Sequence, residues 1–209
     1  MDTTVRQQVG IEIPELERLE PIHTKGLQRV FALMRVALGW VFLWAFLDKA
    51  FALGFSTGRD ATTGVVDFYG NAAWIHGASP TKGVFAYALN AGWFTGFYEK
   101  LGNVTMTAQG PLANPPAWID AVYMVSMLLI GVALITGVMT RIAAFGGLAW
   151  LVAFYTATAI WPEHNPFLDE HVLEALILVG LVLANAGRYY GLGKIWQRYE
   201  FVKDRRYLY

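Results

Sequence analysis

Between two stretches almost free of charge, residues 161–175 read WPEHNPFLDEHVLEA and gather Glu163, His164, Asp169, Glu170, His171 and Glu174. Carboxylates and imidazoles take up and release protons, and the same oxygens and nitrogens bind divalent metals, so such a group can do acid–base chemistry or hold an ion. Part of the group has a structural reason. Pro162 and Pro166 break helical continuity, Asp169 is placed to cap a helix that begins at Glu170, and Glu170 falls in the first turn, where the helix dipole favours negative charge. Glu174 is left over. It lies one turn deeper, four residues after Glu170 and three after His171, so the three share a face. His171 and Glu174 are therefore the candidate proton-transfer groups, with His164 beside them. As metal ligands, Glu163, His164, His171 and Glu174 make a weak set, because two histidines without a dense motif fit a hydrogen-bonded cluster better.

The elements that position these groups are apolar. Of 209 residues, 56% are hydrophobic and only 15% charged, with a mean hydropathy of +0.39. Four runs, residues 27–55, 119–139, 142–161 and 170–187, approach or exceed the length of about 20 residues that crosses a bilayer. The third has no charged side chain at all until its end. The expected fold is all-α, an integral membrane four-helix bundle, and small residues four apart (Ala143 and Gly147; Ala149, Ala153 and Ala157; Gly180 and Ala184) allow close helix approach. The first run follows about 26 polar residues and carries Arg35, so it reads as a span and not as a cleavable signal.

Lys and Arg mark the cytoplasmic flanks of membrane helices. Arg18, Lys25 and Arg29 precede the first run, Arg141 separates the second from the third, and Arg188, Lys194, Arg198, Lys203, Arg205 and Arg206 follow the fourth. Both termini are thus expected inside, with a polar cytoplasmic tail over residues 1–26, a membrane domain over 27–196 and a basic, aromatic tail over 197–209. Residues 56–118 then form a long outer segment. Within it, residues 84–102 are rich in aromatic rings and are expected to form an interfacial or re-entrant helix, followed by a stiff, proline-rich lead at 110–118. His76 sits in an exposed loop, which could fold over the outer mouth of the bundle.

An unpaired carboxylate near the membrane rim costs about 1–3 kcal/mol, so Glu174 should find a cation. Lys49, which follows the aromatic stretch Trp40 to Phe46 at the outer end of the first run, is the expected partner, and a Lys49–Glu174 ion pair is the expected contact. Arg35 is expected to snorkel to the inner headgroups. The chain has no cysteine and zero formal net charge. Thiolate ligands, an iron–sulfur cluster and covalent haem attachment are excluded on this chain, no haem is expected, and nothing marks nucleic acid as a partner.

The stretches LMRVALGWVFLWAFLDKAF, AWIHGASPTKG, GVALITGVMTRIAA and PEHNPFLDEHVLEALILV, with the ending GRYYGLGKIW, resemble the DoxX/DoxD family of small membrane proteins over about residues 27–196. The resemblance implies a multi-pass protein of the cell membrane. It further implies a subunit like the DoxD subunit of thiosulfate:quinone oxidoreductase, which couples thiosulfate oxidation to reduction of a membrane quinone. A quinone needs aromatic walls, donors for two carbonyls and a proton source. Trp40, Trp44 and Phe46 are the expected walls, Lys49 a donor and His171 or Glu174 the proton source, with Arg35, His76 and His164 as further binding residues. The contrasting expectation is an accessory subunit of a larger respiratory or redox complex. Other redox subunits, or further copies of the chain, are the expected partners in the bilayer.

Overall fold

A computed structural model describes residues 24–91, 94–158 and 166–208. The protein is mostly helical. Among the described residues, three helices are long and apolar enough to cross a membrane: α1, Lys25–Phe51, of 27 residues; α4, Ala117–Thr136, of 20; and α5, Thr140–Thr158, of 19. Their outward faces carry large apolar side chains such as Leu33, Leu129 and Phe145, which are 70%, 62% and 77% exposed. Surfaces like these are stable against hydrocarbon and not against water.

The fourth apolar run behaves differently. Helix α6, Glu170–Leu183, has 14 residues, about 21 Å at 1.5 Å per residue, which is short of a full crossing. The expected helix to residue 187 is cut at Asn185, whose left-handed φ of 48° turns the chain into the 3-10 turn Ala186–Arg188. Asparagine tolerates that conformation better than most residues. Helix α6 packs on α5 and, less extensively, on α1.

The closest helix pair is α1 with α4. A Cβ added at Gly39 would lie 2.9 Å from the Ile135 nitrogen, and one added at Gly131 would lie 2.7 Å from the Leu43 nitrogen. The two helices therefore run antiparallel, backbone against backbone, at both glycines. Leu38, Phe42, Met124, Met127, Leu134, Leu178 and Leu181 fill the core around this seam.

The expected single aromatic helix over 84–102 is two helices, α2, Lys82–Ala91, and α3, Thr95–Leu101. A short hairpin, β1 Thr105–Thr107 with β2 Gly110–Leu112, stands where a stiff lead was expected. Helix α2 packs on α5, and Phe85, Ala88, Tyr98, Val104, Ala113, Ile119 and Ala157 make a second small core beneath it. The preceding loop is pinned by Arg59, whose Nε donates to the Gly54 carbonyl at 2.7 Å and whose Nη1 donates to that of Gly64 at 3.0 Å. Asp60 accepts from the Thr63 amide and hydroxyl and the Thr62 amide, and these bonds hold its carboxyl below the usual range.

The C-terminal residues are not a free tail. After the short helices α7, Gly193–Trp196, and α8, Glu200–Lys203, the turn Arg206–Leu208 packs against α5. The Trp196 indole donates to the Leu208 carbonyl at 2.7 Å, and Val202 is 1% exposed.

Candidate functional site

Asp169 caps α6 as its position suggests: one carboxylate oxygen accepts from the Val172 amide at 3.1 Å. The other meets His171 Nδ1 at 2.6 Å, so this one residue both starts the helix and orients the imidazole. Replacing Asp169 with alanine is expected to remove about 1 kcal/mol of stability through the lost cap, read as a fall in melting temperature of about 2–4 °C. An unchanged melting temperature would show that the cap contributes nothing.

Glu174 shares a helix face with Leu178 and Leu181, which are fully buried, so it turns toward the helix interior and not the lipid. It is half-buried and makes no hydrogen bond or ion pair among the described residues. Lys49 lies at the same end of the helices but is not its partner. The Lys49 ammonium donates to Ser56 Oγ at 3.2 Å, and the ion pair among the described residues is His171–Asp169. The expected Lys49–Glu174 contact is thus replaced by a local one, because the chain turns back immediately after α1 and brings Ser56 to Lys49.

That turn is organised by Asp48, a residue whose neighbours in sequence carry no recognisable motif. It is 1% exposed and accepts from the Phe55 amide at 3.0 Å, the Ser56 amide at 3.0 Å and the Ser56 hydroxyl at 2.6 Å. Asp120, one turn into α4, does the same for the loop before α2, accepting from Ser79 Oγ at 3.0 Å, the Thr81 amide at 3.1 Å and Thr81 Oγ1 at 2.6 Å. A carboxylate one turn inside an apolar run is the signal that would have flagged it.

Arg35 does not snorkel. It is fully buried, and its guanidinium donates to four main-chain carbonyls, those of Leu134 and Ile135 at the end of α4 and those of Tyr189 and Tyr190 beyond α6. Snorkelling is overridden because the guanidinium reaches helix-end carbonyls that have no intrahelical donor of their own. Its Nε alone lacks a partner. The guanidinium is therefore committed to the fold and is not available to a ligand.

Trp40 and Trp44 stand 5.6 Å apart, ring to ring, and Trp44 meets the edge of Phe55 at 4.9 Å, forming an aromatic strip along α1 with Trp40 half exposed. His76 closes the 3-10 turn Trp74–His76; its Nδ1 lies 2.9 Å from the Gly70 carbonyl and its side chain is exposed. His164 and Glu163 lie outside the described residues. Among the described residues no group of three or more His, Cys, Asp or Glu side chains is arranged to hold a metal.

The enclosed space at the Lys49 end is elsewhere. A cavity of about 260 Å³ opens between α2, α3, α4 and α5, walled by Phe85, Phe97, Trp118, Tyr123, Trp150 and Phe154 among others. Tyr123, Trp150 and Phe154 pack as a cluster with ring separations of 5.2 to 6.0 Å, and Phe154 rests on His171 at 5.9 Å on its other side. The Tyr98 hydroxyl is engaged with Ala153 O at 2.9 Å and Thr156 Oγ1 at 2.6 Å. The Tyr123 hydroxyl has no hydrogen-bond partner among the described residues. The structure thus sets His171 one ring away from the aromatic cavity, behind Phe154, while neither His171 nor Glu174 lines it, and it leaves Arg35, His76, Trp40 and Trp44 away from its walls. Comparison of the chain with protein-family models, curated proteins and solved structures gave no match.

Proposed function

We propose that the chain is a DoxD-like membrane subunit of a thiosulfate:quinone-type oxidoreductase, a four-helix bundle of the cell membrane with both termini cytoplasmic, which receives quinone near the outer face. The observation that carries this reading is the aromatic cavity with the His171–Asp169 pair one ring away, behind Phe154. At about 260 Å³ it is just below the usual range of about 300–1,000 Å³ for small-molecule sites, so it suits a flat ring with a short length of isoprenoid chain. Its walls are almost wholly apolar, which fits the ring faces. A quinone, when bound, accepts two electrons and two protons. Glu174 and His171 supply and relay protons at the carboxyl and imidazole, Asp169 holds the imidazole in place, and Phe154 stands between the imidazole and the ring site.

The accessory-subunit reading has its own support, because Arg35 and Lys49 are both bonded to the protein itself. Membranes containing the assembled protein separate the two readings. Glu174→Gln is expected to lower thiosulfate-dependent quinone reduction about tenfold or more with the protein still inserted. Ala153→Phe, which fills the cavity from α5, is expected to raise KM for quinone. Unchanged turnover in both variants, or loss only through disassembly, would assign the chain to the accessory class.

A further inference from the structure

Residues 188–194 border two cavities at the Arg35 end. One, of about 340 Å³, has a mixed polar and apolar lining formed by Gln28, Arg188, Tyr189, Tyr190 and Lys194. The other is an apolar groove of about 490 Å³ between α4 and α5, with Leu129, Val132, Ile142, Gly146 and Leu192 in its walls. The segment between them is anchored from both sides. Arg35 Nη2 donates to the Tyr189 carbonyl at 3.2 Å and the Tyr190 carbonyl at 3.1 Å, and the Leu192 amide donates to the Thr136 carbonyl at 2.8 Å. Arg29 adds a third cation at the rim, its Nε donating to the Tyr190 hydroxyl at 3.4 Å. Arg29, Arg188 and Lys194 are all exposed, and none of them meets a carboxylate among the described residues.

We infer that this end of the protein binds an anionic phospholipid, its phosphate headgroup held by Arg188, Lys194 and Arg29 and its acyl chains laid in the groove beyond Leu192. Uncompensated cations at the end of membrane helices attract anionic headgroups, and an arginine fork matches phosphate oxygens. The site is preformed, because the main chain that carries the cations is fixed by a buried guanidinium and not by the ligand. It is independent of the quinone reading and lies at the opposite end of the helices from the aromatic cavity.

The test uses the full chain in nanodiscs made from mixed phosphatidylglycerol and phosphatidylcholine, with retained lipid counted by native mass spectrometry. The protein is expected to retain phosphatidylglycerol preferentially, and Arg188→Gln and Lys194→Gln each to reduce that preference about fivefold. The preference is expected to weaken in about 0.5 M salt, where surface charges are screened. The double variant Arg198→Gln with Lys203→Gln removes twice the charge of either single change, outside the pocket, and is expected to leave the preference intact. Equal retention of the two lipids, or an equal loss in the Arg198 and Lys203 variant, overturns the inference. Thermal stabilisation by inorganic phosphate as large as that by phosphatidylglycerol identifies a free-anion site and overturns it too.

Discussion

Arg35→Met is expected to lower the stability of the folded chain by about 3–5 kcal/mol, the largest effect of any single substitution considered. Removing the guanidinium regains the cost of burying a charge in an apolar setting, about 2.5–3.5 kcal/mol. Against that stand the four bonds lost to main-chain carbonyls, each of which, from a charged donor, is worth about 1.5–3 kcal/mol. The deficit wins, and it is a large part of a typical total of about 5–15 kcal/mol. Arg35→Lys keeps the charge but offers a single ammonium, which cannot span from the end of α4 to residues 189–190, so it should recover only part of the loss. Thermal unfolding in detergent reads both variants. If Arg35→Met melts with the parent protein, the clamp is not what holds α1, α4 and the end of α6 together.

Gly131→Val is expected to cost about 3 kcal/mol, and Gly39→Val about the same, because each new side chain would press on backbone of the facing helix. Backbone cannot rotate away as a side-chain tip can, so α1 and α4 must separate, and the core beside them opens. Gly180→Val is the matched control: its nearest neighbour is the Phe31 ring edge at 4.0 Å, and since valine is a better helix former than glycine it should cost little or nothing. Three melting temperatures decide the matter. A Gly180→Val loss as large as that of Gly131→Val would mean that the cost does not come from close backbone approach.

That contrast also marks what a sequence can convey. Spacing of small residues pointed to Gly147, where a Cβ would indeed press on Leu178 and Phe42, but it pointed equally to Gly180, where there is room, and passed over Gly39 and Gly131. Spacing identifies which residues permit contact; the register between helices decides which of them make it. The membrane helices α1, α4 and α5 were legible because a strongly apolar run of that length has few other stable settings. Helix α6 was read too long because Ala184 to Gly187 carries no charge and its turn rests on one backbone angle at Asn185.

The candidate site was legible in its polar half. Asp169 as a cap and the shared face of His171 and Glu174 follow from spacing alone. The partners of Lys49 and Arg35 do not, since a hydroxyl seven residues on and four main-chain carbonyls leave no pattern in side-chain types. The aromatic cavity was missed for a related reason. Its walls come from four helices, two of them in a segment read as one, so no stretch of chain announces it.

The clamp on Arg35 also sets an order of events at the ribosome. Its acceptors follow it by 99 to 155 residues, and at about 5–20 residues per second the last of them is synthesised roughly 8–30 s after the guanidinium. Throughout that interval α1 has to reside in or beside the insertion machinery with its charge solvated by water or lipid phosphate. The nascent helix therefore passes through the snorkelled arrangement that the finished protein has left behind.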